Sequence, residues 1–126
     1  MAQETIFLVD DDDLFHQSLK DILELSGYTV LSGNNGVGAV EICQSNQVDL
    51  VITDLMMPEK DGLELISEIH TALPQTKIIA ITGGGTMPAY RDLLAEALRF
   101  GAVSGFQKPF DIQLFAQEVT RVLRIS

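Results

Sequence analysis

Asp54 closes a short apolar run, Leu50-Val-Ile-Thr53, and the chain after it turns through Met56-Met57-Pro58 to Asp61-Gly62. Three other apolar runs end on polar residues in the same way: Asp10-Asp11 after Ile6 to Val9, Thr82 after Ile78 to Ile81, and Lys108 after Val103 to Gln107. Carboxylates gathered in one place repel one another, and a hard divalent cation relieves that repulsion. Magnesium suits the set, because it takes oxygen ligands in octahedral geometry, keeps several waters and accepts one or two carboxylates beside a phosphate oxygen. Zinc does not, since His16, His70 and Cys43 lack ligand spacing. Beside such a cation a carboxylate can attack phosphorus and form an aspartyl phosphate, and Asp54 is the candidate nucleophile. Lys108 and Thr82 would then meet the charge that spreads over the transferring oxygens, the first as an ammonium and the second as a hydroxyl donor.

The elements that must position these residues follow from periodicity. Apolar runs at Ile6–Val9, Tyr28–Leu31, Leu50–Thr53, Lys77–Ile81 and Val103–Gln107 alternate with longer stretches of helical period, which predicts an α/β protein of five βα units around a parallel sheet. The first helical stretch places Leu19, Ile22, Leu23 and Leu25 on or beside one face and stops at Gly27. The second, about Val37 to Gln44, uses Val37, Val40 and Ile42 or Cys43. The third runs from about Gly62 to Leu73 on Leu63, Ile66, Ile69 and Leu73, closed by Pro74. The fourth begins near Met87-Pro88, carries Leu94, Ala97 and Leu98, and ends at Gly101. The fifth has Asp111 as N-cap and a stripe of Ile112, Phe115, Val119 and Val122. Right-handed crossovers bring the C-terminal ends of parallel strands to one edge, so Asp10, Asp11, Asp54, Thr82 and Lys108 should converge there.

Composition narrows the function classes. The 126 residues suit one domain, 1–126, with no second or output domain expected. Eighteen acidic residues against eight basic give a formal charge of −10, which repels nucleic-acid phosphates and anionic lipid. The start of the chain lacks the pattern of a signal peptide or membrane span, so a cytoplasmic protein is expected. Cys43 is read as a small apolar residue rather than a redox group.

The chain resembles the receiver domain of two-component response regulators. The resemblance rests on Leu8-Val9-Asp10-Asp11-Asp12, Val51-Ile52-Thr53-Asp54-Leu55-Met56-Met57-Pro58 with Asp61-Gly62, Ile81-Thr82-Gly83 and Lys108-Pro109-Phe110, in the family's order along nearly the whole chain. It implies a (βα)5 flavodoxin-like, doubly wound five-stranded sheet in the order 2-1-3-4-5. It also implies that Asp54 accepts a phosphoryl group from a histidine kinase's phosphohistidine. Asp11 and Asp54 would bind Mg2+ directly with the Met56 backbone carbonyl, and Asp10 would act mostly through water. By the same resemblance Thr82 is the switch hydroxyl, Lys108 the salt-bridge partner, and the Lys108–Pro109 bond is cis. The implied partners are a histidine kinase or phosphotransfer protein and a downstream protein.

Two stretches depart from the family pattern. Gly105 stands where an aromatic ring usually lies, and the next residue, Phe106, should face the other side of its strand and pack in the core. Three glycines, Gly83-Gly84-Gly85, follow Thr82; without a P-loop's lysine and spacing they predict a movable loop rather than a nucleotide cradle. The remaining polar residues have structural readings: Asp12 and Asp13 as helix-start charges, Asp61 as a turn and helix-start residue, His16 and His70 as surface residues, Met56-Met57 as loop packing. The leading function is a phosphoacceptor switch that catalyses only its own modification. The alternatives are a constitutive docking module and a magnesium phosphohydrolase, the latter opposed by the lack of a second acid/base carboxylate beside Asp54 and of a cap insertion.

Overall fold

The apolar runs form strands and the periodic stretches form helices, in strict alternation. The elements are β1 (Thr5–Val9), α1 (Asp13–Leu25), β2 (Thr29–Gly33), α2 (Ala39–Asn46), β3 (Leu50–Asp54), α3 (Gly62–Ala72), β4 (Lys77–Thr82), α4 (Pro88–Phe100), β5 (Ser104–Gln107) and α5 (Ile112–Leu123). The computed structural model describes residues 3–10, 12–33, 35–56, 61–83 and 88–124, apart from the side chains of 88–91. All neighbouring strands are parallel, in the order β2-β1-β3-β4-β5 that the resemblance implied. Strand ends are aligned by register: Val9 pairs with Thr53, Asp54 with Ile81, and Thr82 with Gln107.

Both faces of a parallel sheet are covered by helices, so the inner strands β1, β3 and β4 are largely apolar and alternate residues serve two cores. Ile6, Leu8, Leu50, Ile52, Ile79 and Ile81 pack with α1 and α5 through Leu19, Leu23, Phe115 and Val119. Phe7, Val9, Val51, Ile78 and Ala80 pack on the other face with α2, α3 and α4 through Cys43, Leu65, Ile66, Ile69 and Ala97. Parity carries this division to the polar strand ends. Asp54 continues the series of Leu50 and Ile52 toward α1 and α5, while Thr82 continues that of Ile78 and Ala80 toward α3 and α4.

Among the described residues, side-chain caps start three helices. Asp12 accepts the Phe15 N–H at 3.2 Å, Asp61 that of Glu64 at 2.9 Å, and Asp111 those of Gln113 and Leu114 at 2.8 and 3.1 Å. The structural readings of Asp12 and Asp61 hold. Burial pushes the Cys43 thiol up to about 11, as suits an inert packed residue.

Helix phase corrects several core assignments. Leu25 is 84% exposed, because it lies about 200° around the helix from the buried Leu23. Val37 is exposed and precedes α2, which begins after Gly38 takes a left-handed φ of 75°. In α3 the fully buried Leu65, absent from the expected stripe, joins Ile66 and Ile69, and the expected Leu63 and Leu73 pack against them half-buried. In α4 Ala97 is buried and Leu98 half exposed.

Candidate functional site

At the C-terminal edge of the sheet the Lys108 ammonium lies 3.2 Å from Asp10 Oδ2 and 3.2 Å from Asp54 Oδ2. The two carboxylates are held in matching ways. Asp54 Oδ1 accepts the Met56 N–H at 2.8 Å, and Asp10 Oδ1 accepts the Asp12 N–H at 2.9 Å. Each side chain thus caps the amide two residues on, a local turn that Asp forms readily. One oxygen of each is tied to the backbone and the other turned toward Lys108. Asp10 and Asp54 are both buried, at 1% and 5% exposure.

Burial and charge act against each other here. The Asp10 carboxyl is raised above its ordinary 3.8, first by burial and then by the nearby Asp54 charge, against the Asp12 N–H and the Lys108 cation. Burial disfavours the charged form of Lys108, but Asp10 and Asp54 together outweigh it and leave the ammonium above its ordinary 10.5. Asp10 Oδ2 is buried without a well-directed hydrogen bond among the described residues, its contact with Lys108 being ionic rather than aligned. A buried oxygen of that kind is unfavourable unless a cation faces it.

Thr82 is fully buried at the end of β4, and its hydroxyl donates to the Gly83 carbonyl at 3.3 Å. Its own carbonyl accepts the Lys108 N–H at 3.0 Å, which ties the ends of β4 and β5 together. Among the described residues a Cβ at Gly83 would meet nothing within 4 Å. Met56 is half exposed. The structure therefore brings Asp10, Asp54 and Lys108 into one cluster, with Thr82 one residue beyond the Asp54–Ile81 pair. Asp11, Met57, Pro58, Gly84 and Gly85 lie outside the described residues. Among the described residues no group of three or more His, Cys, Asp or Glu forms a closed metal cage.

Sequence reasoning did not single out Phe15, and it quoted Gly62 without the close backbone approach found there. Phe15 lies 4.2 Å beneath the Lys108 ammonium. Its signal was the helical stripe 15, 19, 22, 23, extended one turn toward the polar edge. A Cβ on Gly62 would meet the Asp54 carbonyl at 2.5 Å and Leu55 Cα at 2.6 Å, so α3 starts hard against the backbone that carries Asp54.

The pattern of the response regulator receiver domain matches residues 6–120. The chain belongs to the response regulator receiver family. Sporulation initiation phosphotransferase F of Bacillus subtilis is 29% identical across the whole chain and 98% of its own length. The receiver also matches a cyclic di-GMP phosphodiesterase of Thermotoga maritima at 30% identity and sensor kinase CckA of Brucella abortus at 35%. It covers 95% and 94% of its own length in these matches, but spans only 31% and 12% of those longer proteins. Among solved structures, a response regulator from Chloroflexus aurantiacus superposes with a TM-score of 0.87 at 26% identity, covering 98% of this chain and all of the other. A CheY-like receiver from Methanospirillum hungatei gives 0.86 at 25%, covering 97% and 94%. Receivers of this family are phosphoacceptor switches of two-component signalling, which interact with histidine kinases and phosphotransfer proteins.

The departures noted in the sequence have a physical form in this receiver. A Cβ on Gly105 would come within 2.8 Å of Leu94 Cδ2, so the space over β5 belongs to a leucine from α4. Phe106 turns to the opposite face, 4.9 Å from Phe115 and 5.2 Å from Phe110, and packs in the core as alternation required. The Lys108–Pro109 bond is cis, as the resemblance implied. Among the described residues no helix is long and apolar enough to cross a membrane.

Proposed function

We propose that this receiver is phosphorylated on Asp54 in a Mg2+-dependent reaction and signals through protein–protein contacts in the cytoplasm. The observation that carries the reading is the placement of Lys108 between two buried carboxylates, each with one oxygen anchored to backbone. The Asp54 carboxylate attacks phosphorus, the P–N bond of a donor phosphohistidine breaks, and its electron pair leaves on the imidazole. Lys108 stays beside the acceptor throughout and meets the negative charge of the incoming group. The Thr82 hydroxyl, held among the described residues by a long bond to the neighbouring carbonyl, can turn to a phosphoryl oxygen.

The donor set fits magnesium. Asp10 Oδ2 has Lys108 at 3.2 Å but no aligned hydrogen bond, which leaves it able to accept from a metal-bound water, and two carboxylates with a carbonyl are what Mg2+ takes while keeping its waters. Asp54, the Met56 carbonyl and Asp11 would hold it, with Asp10 acting mostly through water. When bound, it neutralises the acidic cluster so that an anionic donor can approach. A histidine kinase or phosphotransfer protein is the expected donor. In this reading the chain catalyses only its own phosphorylation and dephosphorylation.

Intact-mass measurement after incubation with acetyl phosphate and Mg2+ tests the reading. The wild type should gain one phosphoryl group, and neither Asp54→Ala nor a chelated sample should. Uptake by Asp54→Ala equal to wild type would refute it.

A further inference from the structure

We propose that Phe15 is a positioning residue for Lys108, its ring face fixing the ammonium at the phosphoacceptor. The Lys108 ammonium sits 4.2 Å from the Phe15 ring centroid, within the range of a cation–π contact, and is mostly withdrawn from water. Lysine ends in a point charge on a flexible four-carbon stem, so carboxylates attract it without fixing its direction. The ring supplies the missing wall. Phe15 lies under the ammonium while Asp10 Oδ2 and Asp54 Oδ2 approach it, and Asp12 Oδ2 stands 4.0 Å away.

The ring is itself held. Asp12 Oδ1 accepts the Phe15 N–H at 3.2 Å, so the cap that starts α1 also sets where its third residue lies. Phe110 meets Phe15 edge to face, with centroids 5.3 Å apart and planes at 88°. Phe110 stacks in turn on the fully buried Phe115 at 5.0 Å and 27°. Edge-to-face and offset contacts of this kind orient rings beyond simple area burial. A side chain that only filled space would need no ring here. What an aliphatic residue cannot provide is the negative face of an aromatic quadrupole, which matters most when a metal and a phosphoryl group compete with Lys108 for the carboxylates.

The inference rests on Asp54 being the phosphoacceptor, and the experiment separates the two. Rates of acetyl-phosphate-driven phosphorylation at saturating Mg2+ are measured for wild type, Phe15→Leu, Phe15→Tyr, Lys108→Ala and the Phe15→Leu/Lys108→Ala double variant. Phe15→Leu should slow phosphorylation about fivefold, the size of one partly desolvated cation–π contact, and Phe15→Tyr should restore it to within about twofold. In the Lys108→Ala background Phe15→Leu should add nothing. In NMR spectra the Lys108 ε-methylene protons should be shifted upfield by the ring in wild type and lose that shift in Phe15→Leu, a readout independent of phosphorylation.

Equal rates for wild type and Phe15→Leu would overturn the positioning role alone. So would a fivefold loss that persists without Lys108, since that is packing. A wild type that takes up no phosphoryl group overturns the phosphoacceptor reading and the positioning role with it.

Discussion

The two sides of the acceptor are built differently. Toward α1 and α5, Lys108 is clamped by Asp10, Asp54 and the Phe15 ring, and three further phenylalanines, Phe106, Phe110 and Phe115, pack behind it. Toward α4, Thr82 donates one long hydrogen bond to the adjacent residue, and glycines stand at 83 and 105. Strand alternation separates the two sides, because Asp54 and Thr82 have opposite parity on adjacent strands. A switch needs both: a rigid clamp that presents the acceptor, and a yielding neighbour that can respond once charge arrives. Our account places the clamp with Lys108 and the response with Thr82 and α4.

Mutations can break that distinction, beginning with the largest effect. Phe115→Ala empties the centre of the clamp side and should cost about 3–5 kcal/mol in urea unfolding, whereas Leu94→Ala, half-buried over Gly105, should cost about 1–2. Equal losses would mean the two sides are equally tight.

Glycines sharpen the point. Gly62→Ala drives a methyl into the backbone of Asp54 and Leu55 and should cost about 2–3 kcal/mol. Gly105→Ala makes its one close approach to the end of the Leu94 side chain, which can rotate, so a loss below about 1 kcal/mol is expected. Thermal melts of the pair decide the matter, and the reverse order would show an unyielding α4.

An effect of opposite sign is expected at Asp10. Its folded carboxyl holds a proton more tightly than the unfolded one, so stability falls as pH rises from the ordinary 3.8 through the raised folded value, and the deficit then stays constant. Lys108 acts in the opposite sense. Raised in the folded state, it contributes stability that is complete below 10.5 and is lost as pH climbs through its folded value. Asp10→Asn should therefore be more stable than wild type at neutral pH without metal and should lose the acid-side slope. Urea midpoints across the acid range check both. A destabilised Asp10→Asn would mean that the ion pair with Lys108 outweighs burial.

Much of this organisation was legible in the sequence. Apolar runs located all five strands, and four of them ended on Asp, Thr or Lys, because a parallel sheet buried on both faces keeps its charged residues at its ends. The same periodicity placed Asp54 and Lys108 at a common edge. Strand order came from family resemblance, since hydrophobic patterns carry no information about which strands adjoin. Leu25 and Val37 were misplaced in the core because spacing alone does not fix the phase of a helix at its ends. Phe15 escaped notice because an aromatic residue in an amphipathic stripe looks like packing until a cation is found over its face. The tight fit at Gly62 escaped because close backbone approach is a property of the folded loop.

The most direct test is hydrogen exchange of the receiver with and without beryllofluoride and Mg2+, followed by residue. Exchange at residues 82–92 and along α4 should change, while α1 and α5 keep the protection they have in the unmodified chain. Unchanged exchange at residues 82–92, or a change centred on α1 and α5, would contradict the division between clamp and response.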